Sequence, residues 1–338
     1  MKVLILKPSS LGDVIQALPV LRLIKAHLPD SEVYWWIDSN LAPILEGDPD
    51  LAGIVRFERR RWAMPRHWPE MAHSIRWMRA QHFDWVIDLQ SLARSGAFAW
   101  LANGELLVGL DEPREGARGF YDMIARRPSW FTHAVDWYLE VLPLLGVPVH
   151  RNFNWIPART AAAAAVKARW PTGGSQRCIV LQPGARWLNK RWPVEYFGDV
   201  IETLAKQYSD IFFAVLGGGQ DEQLGKQISE KAPARCVDLT GKLSLSEMIE
   251  WIRRSTAMVT NDTGPMHVAA ALGIPVTALF GPTSPNRTGP YGQVDRVLKQ
   301  ELWCAPCMKS RCTNPNALEC LKTISPTTVV DQVARVLA

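Results

Sequence analysis

One acidic residue lies among small residues directly after the first apolar run of the chain. The segment runs Lys7-Pro8-Ser9-Ser10-Leu11-Gly12-Asp13. Ligands of open α/β sheets bind at the carboxyl ends of strands, and a carboxylate there can take a proton from an attacking hydroxyl group. Asp13 therefore fits a general base. The alternative is an acidic residue in a first helical turn, which the helix dipole favours.

A second segment with chemical potential is Asn261-Asp262-Thr263-Gly264-Pro265-Met266-His267, which precedes an Ala-rich helix. Backbone N–H groups, a hydroxyl and a helix N-terminus together suit a diphosphate. Asp262 would repel phosphate, so we expect it to bind sugar hydroxyls or to hold the loop. The alternatives are an N-cap for Asp262 and turn chemistry alone for Thr263 and Gly264.

Two cations and one acidic residue could belong to the same binding site for a diphosphate-containing ligand. Arg186 and Lys190 follow another strand, and they can neutralise the charge on a departing diphosphate, a role otherwise given to a divalent metal. Glu222 follows a run of three glycines, and an acidic residue in such a place can bind ribose hydroxyls. As isolated residues, Arg186 and Lys190 fit solvated surface cations.

Four cysteines lie close together near the end of the chain, at Cys304, Cys307, Cys312 and Cys320. Thiolates bind zinc or iron and the cytosol is reducing, so four cysteines within seventeen residues indicate a structural metal site, although their spacings are not those of a standard zinc ribbon. Reduced structural thiols and disulfides are the alternatives. Cys178 and Cys236 begin predicted strands and are expected to be buried small hydrophobic residues.

The elements that must position these residues alternate between strand and helix in both halves. Short apolar strands separated by helices predict parallel βαβ units buried on both faces, and hence an α/β fold. The strands predicted in the first half are 2–7, 32–38 and 85–90, with helices at 13–26 and near Leu41. Those predicted in the second half are 178–184, 212–219, 236–241, 258–262 and 276–281, with a helix at 221–231.

The length of 338 residues exceeds that of a typical domain of roughly 100–200 residues, so two domains are expected. We predict an N-terminal domain over 1–155 and a C-terminal domain over 175–325, joined by an Ala-rich helix and a Pro/Thr/Gly/Gly turn. Residues 326–338 show apolar residues at helical spacing, which predicts a helix that packs back on the body.

Composition and charge narrow the classes of function. The net charge is +5, yet arginines crowd residues 56–79 and recur at 114–127, which indicates an anionic partner or a solvated face. No dinucleotide-binding or phosphate-loop fingerprint supports a dehydrogenase or a kinase. We expect no nucleic-acid partner.

With no secretion signal and no apolar run near the roughly 20 residues that span a bilayer, a cytoplasmic location is expected.

Three stretches together resemble a known family. They are Ser9-Ser10-Leu11-Gly12-Asp13 with Leu18-Pro19, Lys190 before Trp192-Pro193, and Asp262 to His267 followed by Ala-Leu-Gly-Ile-Pro and Leu-Phe-Gly-Pro-Thr. In this combination the chain resembles bacterial ADP-heptose:lipopolysaccharide heptosyltransferases, family 9 of the inverting glycosyltransferases. The stretch from Ile87 to Ser95 looks more like heptosyltransferase I than II. The family usually has His where this chain has Gln16.

The resemblance implies a GT-B fold, in which two Rossmann-like domains face each other across a cleft, with the acceptor in the N-terminal half and the nucleotide sugar in the C-terminal half. It implies transfer of heptose from ADP-heptose to a Kdo/lipid A inner-core lipopolysaccharide acceptor, with no cofactor required for catalysis and a transient contact with the cytosolic face of the inner membrane. The implied catalytic residues are Asp13 and Lys190. The implied donor-binding residues are Ser10, Gly12, Arg186, Glu222, Asp262, Thr263, Gly264 and His267, and the implied acceptor-binding residues are Arg59, Arg60, Arg61 and Arg126.

Competing hypotheses make distinct predictions. Another family 9 transferase, such as a heptosyltransferase II or a protein O-heptosyltransferase, would use a different acceptor. A nucleotide-sugar epimerase of the same fold would need no acceptor site, and the arginine-rich stretch 56–79 argues against it. An assembly module built on the cysteines would not need the intact Asp13, Lys190 and Asp262 segments.

Overall fold

The computed structural model describes residues 1–112, 114–170 and 177–338. These residues form two compact units, Met1–Pro157 and Ala158–Ala338. Each unit contains one six-stranded sheet in which every pair of neighbouring strands is parallel. The predicted α/β class is therefore confirmed.

The sheet of the first unit has the strand order β3-β2-β1-β4-β5-β6. Its strands are β1 (Lys2–Leu6), β2 (Glu32–Asp38), β3 (Gly53–Phe57), β4 (Trp85–Asp88), β5 (Leu106–Leu110) and β6 (Met123–Ala125). Its helices are α1 (Leu11–His27), α2 (Trp68–Ala80), α3 (Ala93–Ala102), α4 (Ala134–Leu139) and α5 (Val141–Leu144).

Strand β1 lies at the centre of this sheet because its side chains can be buried on both faces. Val3, Leu4, Ile5 and Leu6 have no exposed surface, as expected for a parallel sheet covered by helices on both sides. The carboxyl end of β1 therefore has a fixed position, and it leads through four residues into α1, which contains Asp13.

The sheet of the second unit has the strand order β12-β11-β10-β7-β8-β9. Its strands are β7 (Arg177–Gln182), β8 (Ile211–Val215), β9 (Cys236–Asp238), β10 (Ala257–Asn261), β11 (Val276–Phe280) and β12 (Val297–Lys299). Its helices are α6 (Thr160–Arg169), α7 (Val194–Gln207), α8 (Glu222–Ser229), α9 (Leu245–Arg254), α10 (Gly264–Ala271), α11 (Pro285–Thr288), α12 (Glu319–Lys322) and α13 (Pro326–Leu337).

The Ala-rich helix expected to connect the domains belongs to the second unit. Helix α6 packs against α9, and just before it the backbone N–H of Arg159 donates a hydrogen bond to Glu250. The turn predicted after α6 falls at residues 171–176, which lie outside the described residues. At the other end of the unit, α13 packs against α7 and buries Val329, Val330 and Val333.

Among the helices that the structure describes, none has both the length and the apolar composition needed to cross a membrane.

Candidate active site

Asp13 lies in the first turn of α1, and its Oδ2 atom caps the start of that helix. Both the backbone N–H and the hydroxyl of Ser10 donate to Oδ2, at 2.8 and 2.7 Å. Asp13 thus has the first-turn position considered from the sequence, and the hydrogen bonds that stabilise the start of the helix occupy its Oδ2. Ser10, predicted to bind the donor, contacts Asp13 in this structure. Gly12 is buried in the same turn.

The second carboxylate oxygen of Asp13 faces a tyrosine that is 125 residues away in the chain. The hydroxyl of Tyr138, on α4, donates to Asp13 Oδ1 at 3.5 Å. Burial, followed by the charge of Asp13, raises the pKa of Tyr138 well above its usual value. Tyr138 therefore remains a neutral hydroxyl donor to Asp13.

A buried cation lies under the same tyrosine. Lys7 Nζ is 4.6 Å from the centre of the Tyr138 ring and donates to the carbonyl of Leu89 at 2.9 Å. Burial lowers the pKa of Lys7 below its usual value, and the carboxylates of Asp13 and Asp88 oppose this shift without cancelling it. This ammonium group, at the end of β1, partly balances the charge of Asp13.

Asp88, at the end of β4, organises the loop next to β1. Its Oδ1 accepts hydrogen bonds from the N–H groups of Gln90 and Ser91, both at 2.9 Å, and its Oδ2 accepts one from the Tyr121 hydroxyl at 2.7 Å. Burial raises the pKa of Asp88, against the effect of these hydrogen bonds. The loop that contains Gln90 is thereby held at the same sheet edge as Asp13.

Two neighbouring cavities open beside this edge. The first, of about 150 Å³, is lined by Pro8, Ser9, Arg59, Gln90 and Arg94, among others. The second, of about 400 Å³, shares Arg59 and Arg94 and has an aromatic wall that includes Trp62. Gln90 Oε1 is buried and has no hydrogen-bond partner among the described residues. Two arginines and an unpaired amide oxygen therefore surround space that suits an anionic, hydroxyl-bearing ligand.

The structure does not gather the four predicted acceptor arginines in one place. Arg59, Arg60 and Arg61 follow β3, whereas Arg126 follows β6, and these are the two outer strands of the sheet. Five strand spacings of about 4.8 Å place these two edges on the order of 24 Å apart. Arg61 is paired with Glu70 at 2.6 Å on the surface.

In the second unit, Asp262 binds two side chains from different loops. Lys190 Nζ donates to Asp262 Oδ2 at 2.6 Å, and the Thr283 hydroxyl donates to the same oxygen at 2.5 Å. Asp262 is 7% exposed and Lys190 has an 18% exposed side chain, so this ion pair is largely shielded from solvent. The helix N-cap is Thr263, not Asp262.

Asn261 fixes the relative position of the two loops that contain Lys190 and Asp262. Its side-chain amide donates to the carbonyl of Pro183 at 2.7 Å and accepts from the backbone N–H of Trp192 at 3.0 Å. Strands β7 and β10 are neighbours in the sheet, so both loops leave from adjacent carboxyl ends. This is the place where open α/β sheets bind ligands.

The remaining predicted donor residues lie around the same edge of the second unit. Gly264 begins α10 and His267 is buried one turn later. Glu222 begins α8 and is exposed, as is Arg186, which precedes Lys190. Gly264, Arg186 and Glu222 follow β10, β7 and β8, which are neighbouring strands, so a positive helix N-terminus, a cation and a carboxylate share this edge of the sheet.

The four C-terminal cysteines line one small cavity, but they do not form the predicted metal site. Among the described residues, no group of three or more His, Cys, Asp or Glu side chains is arranged to hold a metal ion. Instead, Cys304 Sγ accepts a hydrogen bond from Asn314 and Cys312 Sγ accepts one from the N–H of Leu318. All six cysteines are free thiols, which corresponds to the reduced-thiol alternative.

Comparison with known proteins decides the family. Residues 71–318 match the model of glycosyltransferase family 9 (heptosyltransferase). The chain belongs to this family. Membership identifies it as a glycosyltransferase, and the predicted GT-B type of fold agrees with its structural relatives.

Relatives of this family 9 chain act in the assembly of lipopolysaccharide. It is 28% identical over 322 residues to lipopolysaccharide heptosyltransferase 1 of Pseudomonas aeruginosa, covering 93% of this chain and 88% of that protein. The Escherichia coli heptosyltransferase WaaC, solved with ADP, superposes with a TM-score of 0.80 at 26% identity, covering 99% of this chain and 100% of that one. A family 9 glycosyltransferase from Veillonella parvula has the same fold, with a TM-score of 0.86 at 23% identity, covering 99% and 97% of the two chains.

Sequence reasoning assigned no role to Lys7, Tyr138 or Thr283. Thr283 ends the Leu-Phe-Gly-Pro-Thr motif of this family 9 chain, whereas Lys7 lies two residues before the motif that begins at Ser9, where a lysine at the end of an apolar strand is a usable signal. Tyr138 has no local signal, because only the tertiary fold brings α4 beside α1.

Proposed function

We propose that this chain transfers a heptose from ADP-heptose to a Kdo-containing lipid A precursor of lipopolysaccharide, with inversion at the anomeric carbon. The observation that supports this most is the environment of Asp13, a half-buried carboxylate with one oxygen used for capping and the other beside Tyr138. Family membership and the relative solved with ADP support the nature of the donor.

In this mechanism Asp13 acts as the general base. It takes the proton of an acceptor hydroxyl while that oxygen forms a bond to the anomeric carbon and the bond from this carbon to the ADP oxygen breaks. A positioned base contributes about 10²- to 10⁴-fold to a rate. The hydroxyl of Tyr138 and the ammonium of Lys7 stabilise the carboxylate form of Asp13 before the proton is taken.

The departing diphosphate is stabilised by the second unit. Lys190, Arg186 and the N-terminus of α10 supply positive charge where negative charge develops on ADP. Asp262 keeps Lys190 in place and binds sugar hydroxyls, while Glu222 binds the ribose. The proposed reaction therefore requires no metal ion.

The acceptor binds in the first unit, on the arginines. Arg59 lines the cavities beside Pro8 and Ser9, and we add Arg94 to the predicted acceptor residues because it lines both cavities with Arg59. Their guanidinium groups match the carboxylate or phosphate groups of the acceptor. The acceptor is membrane-bound, so the enzyme works at the cytosolic face of the inner membrane.

The test is transfer by the purified protein from ADP-heptose to a Kdo-containing acceptor, followed by mass spectrometry of the glycan and by release of ADP. We expect Asp13→Asn, which keeps the shape of the side chain, to lose at least about 100-fold in kcat. Exposed Asp30 is the control, because no described residue forms a hydrogen bond with its side chain, and the activity of Asp30→Asn should equal that of the wild type. An Asp13→Asn variant as active as the wild type would remove Asp13 from this role. Epimerisation of the donor without acceptor would replace the proposal.

A further inference from the structure

Two adjacent aromatic side chains stand on the surface of the first unit, where the proposed chemistry does not use them. Trp130 is 65% exposed and Phe131 is 66% exposed. Single exposed apolar residues are common on soluble proteins, but contiguous large ones mark interaction sites. This pair therefore marks a candidate interaction site on the first unit.

The turn that presents the pair is well fixed by hydrogen bonds. The N–H of Ser129 donates to Thr132 Oγ1 at 2.9 Å, and the N–H of Thr132 donates to the carbonyl of Ser129 at 3.2 Å. From below, Arg127 Nε donates to the carbonyl of Thr132 at 3.2 Å, and the guanidinium carbon lies 4.7 Å from the centre of the Trp137 ring. The exposure of Trp130 and Phe131 is thus a property of a built turn.

A second group of exposed apolar side chains follows another strand. Met64 is 38% exposed and Trp68 is 54% exposed, and both follow β3. The turn with Trp130 and Phe131 follows β6. Because β3 and β6 are the outer strands of one parallel sheet, both segments leave from its carboxyl edge. They flank the central strand β1, whose carboxyl end leads to Asp13.

The two segments are rich in arginine, although Arg61 is paired with Glu70 just beyond the first segment. Residues 59–68 contain four arginines and no acidic residue, and residues 125–133 contain two arginines and no acidic residue. Basic residues near a bilayer are attracted to anionic lipids by about 1 kcal/mol each, and Trp is enriched at the membrane–water interface. Exposed aromatic residues in arginine-rich segments suit that surface better than they suit a protein partner of mixed charge.

We propose that this sheet edge docks on an anionic lipid bilayer, with Trp130 and Phe131 entering the interfacial layer on one side of Asp13 and Met64 and Trp68 contacting it on the other. The inference rests on the proposed function, because a membrane-bound acceptor would then approach the edge at which the base lies. It adds the specific surface that holds the enzyme there.

The experiment compares the wild type with the double variant Trp130→Ala/Phe131→Ala in co-sedimentation with vesicles of phosphatidylglycerol and phosphatidylethanolamine. We expect the double variant to partition at least tenfold more weakly, and wild-type binding to weaken in phosphatidylcholine vesicles or high salt. Trp100→Ala is the matched control, because Trp100 is 59% exposed but lies near the end of α3, away from the carboxyl edge. A thermal unfolding curve like that of the wild type verifies the fold of each variant.

Activity separates this inference from the proposed function. The double variant should transfer sugar to a deacylated, water-soluble acceptor like the wild type, but at least tenfold more slowly to the same glycan embedded in anionic vesicles. If the wild type were inactive on both acceptors, the proposed function would be refuted. The vesicle-binding assay would still test whether this surface docks on the bilayer. Equal partition of wild type and double variant, or a change in oligomeric mass on substitution, would overturn the docking surface.

Discussion

The hydroxyl of Tyr138 lies 3.5 Å from Oδ1 of Asp13, although the two residues are on different helices and far apart in the chain. The face of the same tyrosine ring covers Lys7 Nζ. A buried cation, a neutral hydroxyl and the proposed base therefore form one unit at the carboxyl end of β1. We therefore assign the lysine and the tyrosine as positioning residues that act through Asp13.

Removing the charge of Lys7 should alter the pH at which Asp13 works. In Lys7→Met the carboxylate loses a nearby positive charge, so Asp13 holds its proton to a higher pH and the acid limb of the kcat/KM profile moves upward. We expect kcat to fall by about tenfold as well. Lys7→Arg keeps the charge and should keep the position of the acid limb. An unmoved acid limb in Lys7→Met would show that Lys7 serves only to stabilise the fold.

Thr283 should matter for donor binding, because its hydroxyl donates to the carboxylate that also holds Lys190. A hydrogen bond to a charged group is worth about 1.5–3 kcal/mol. Thr283→Val should therefore weaken ADP binding by roughly tenfold or more, measured by isothermal titration calorimetry. The control is Thr203→Val on α7, where the hydroxyl binds only a backbone carbonyl. Unchanged affinity in Thr283→Val would mean that Lys190 keeps its position without Thr283.

Much of the two candidate sites, one in each unit, could be predicted because their residues lie in short motifs at strand ends. Asp13 follows a predicted strand of the first unit, whereas Lys190 and Asp262 follow two predicted strands of the second unit that are parallel neighbours, so their carboxyl ends lie together. Strands β3, β5, β6 and β12 were not predicted, since apolar runs of three to five residues are ambiguous between strand and helix. Without β3 and β6 as outer strands, the separation of Arg126 from Arg59 could not be predicted either.

Asp88 should give the protein a measurable dependence of stability on pH. Burial raises the pKa of this carboxyl in the folded state, so the native protein binds the proton more tightly than the unfolded chain does. The free energy of unfolding then falls as the pH rises from about 3.9, the unfolded value, through the folded pKa. Asn at this position stays neutral, so Asp88→Asn should lose less stability over that range.

Urea unfolding between pH 4 and pH 8 measures this difference. The urea midpoint of Asp88→Asn minus that of the wild type should increase with pH. The urea midpoint of the exposed control Asp30→Asn should follow that of the wild type throughout. Parallel curves for Asp88→Asn and the wild type would show that the hydrogen bonds from Ser91 and Tyr121 fully offset the burial of the charge.

The free thiols should differ in reactivity according to their burial. The thiolate is the form that reacts with alkylating agents, and burial raises the pKa of Cys236 to about 12 and that of Cys178 further still. Cys312 is exposed. In timed labelling with iodoacetamide at pH 8, followed by peptide mass spectrometry, Cys312 should react first and Cys178 and Cys236 should remain unlabelled until the protein is unfolded.

The rate at which Cys320 is alkylated tests most directly whether the four C-terminal cysteines bind a metal. Burial, followed by the nearby thiols of Cys312, Cys304 and Cys307, raises the pKa of Cys320. Cys320 should therefore react more slowly than Cys312, and a chelator should not change its rate. A metal bound by the four sulfurs would instead hold all of them as thiolates and protect all of them together. Joint protection that a chelator removes, with one zinc or iron per chain by elemental analysis, would overturn the assignment of these cysteines as reduced structural thiols.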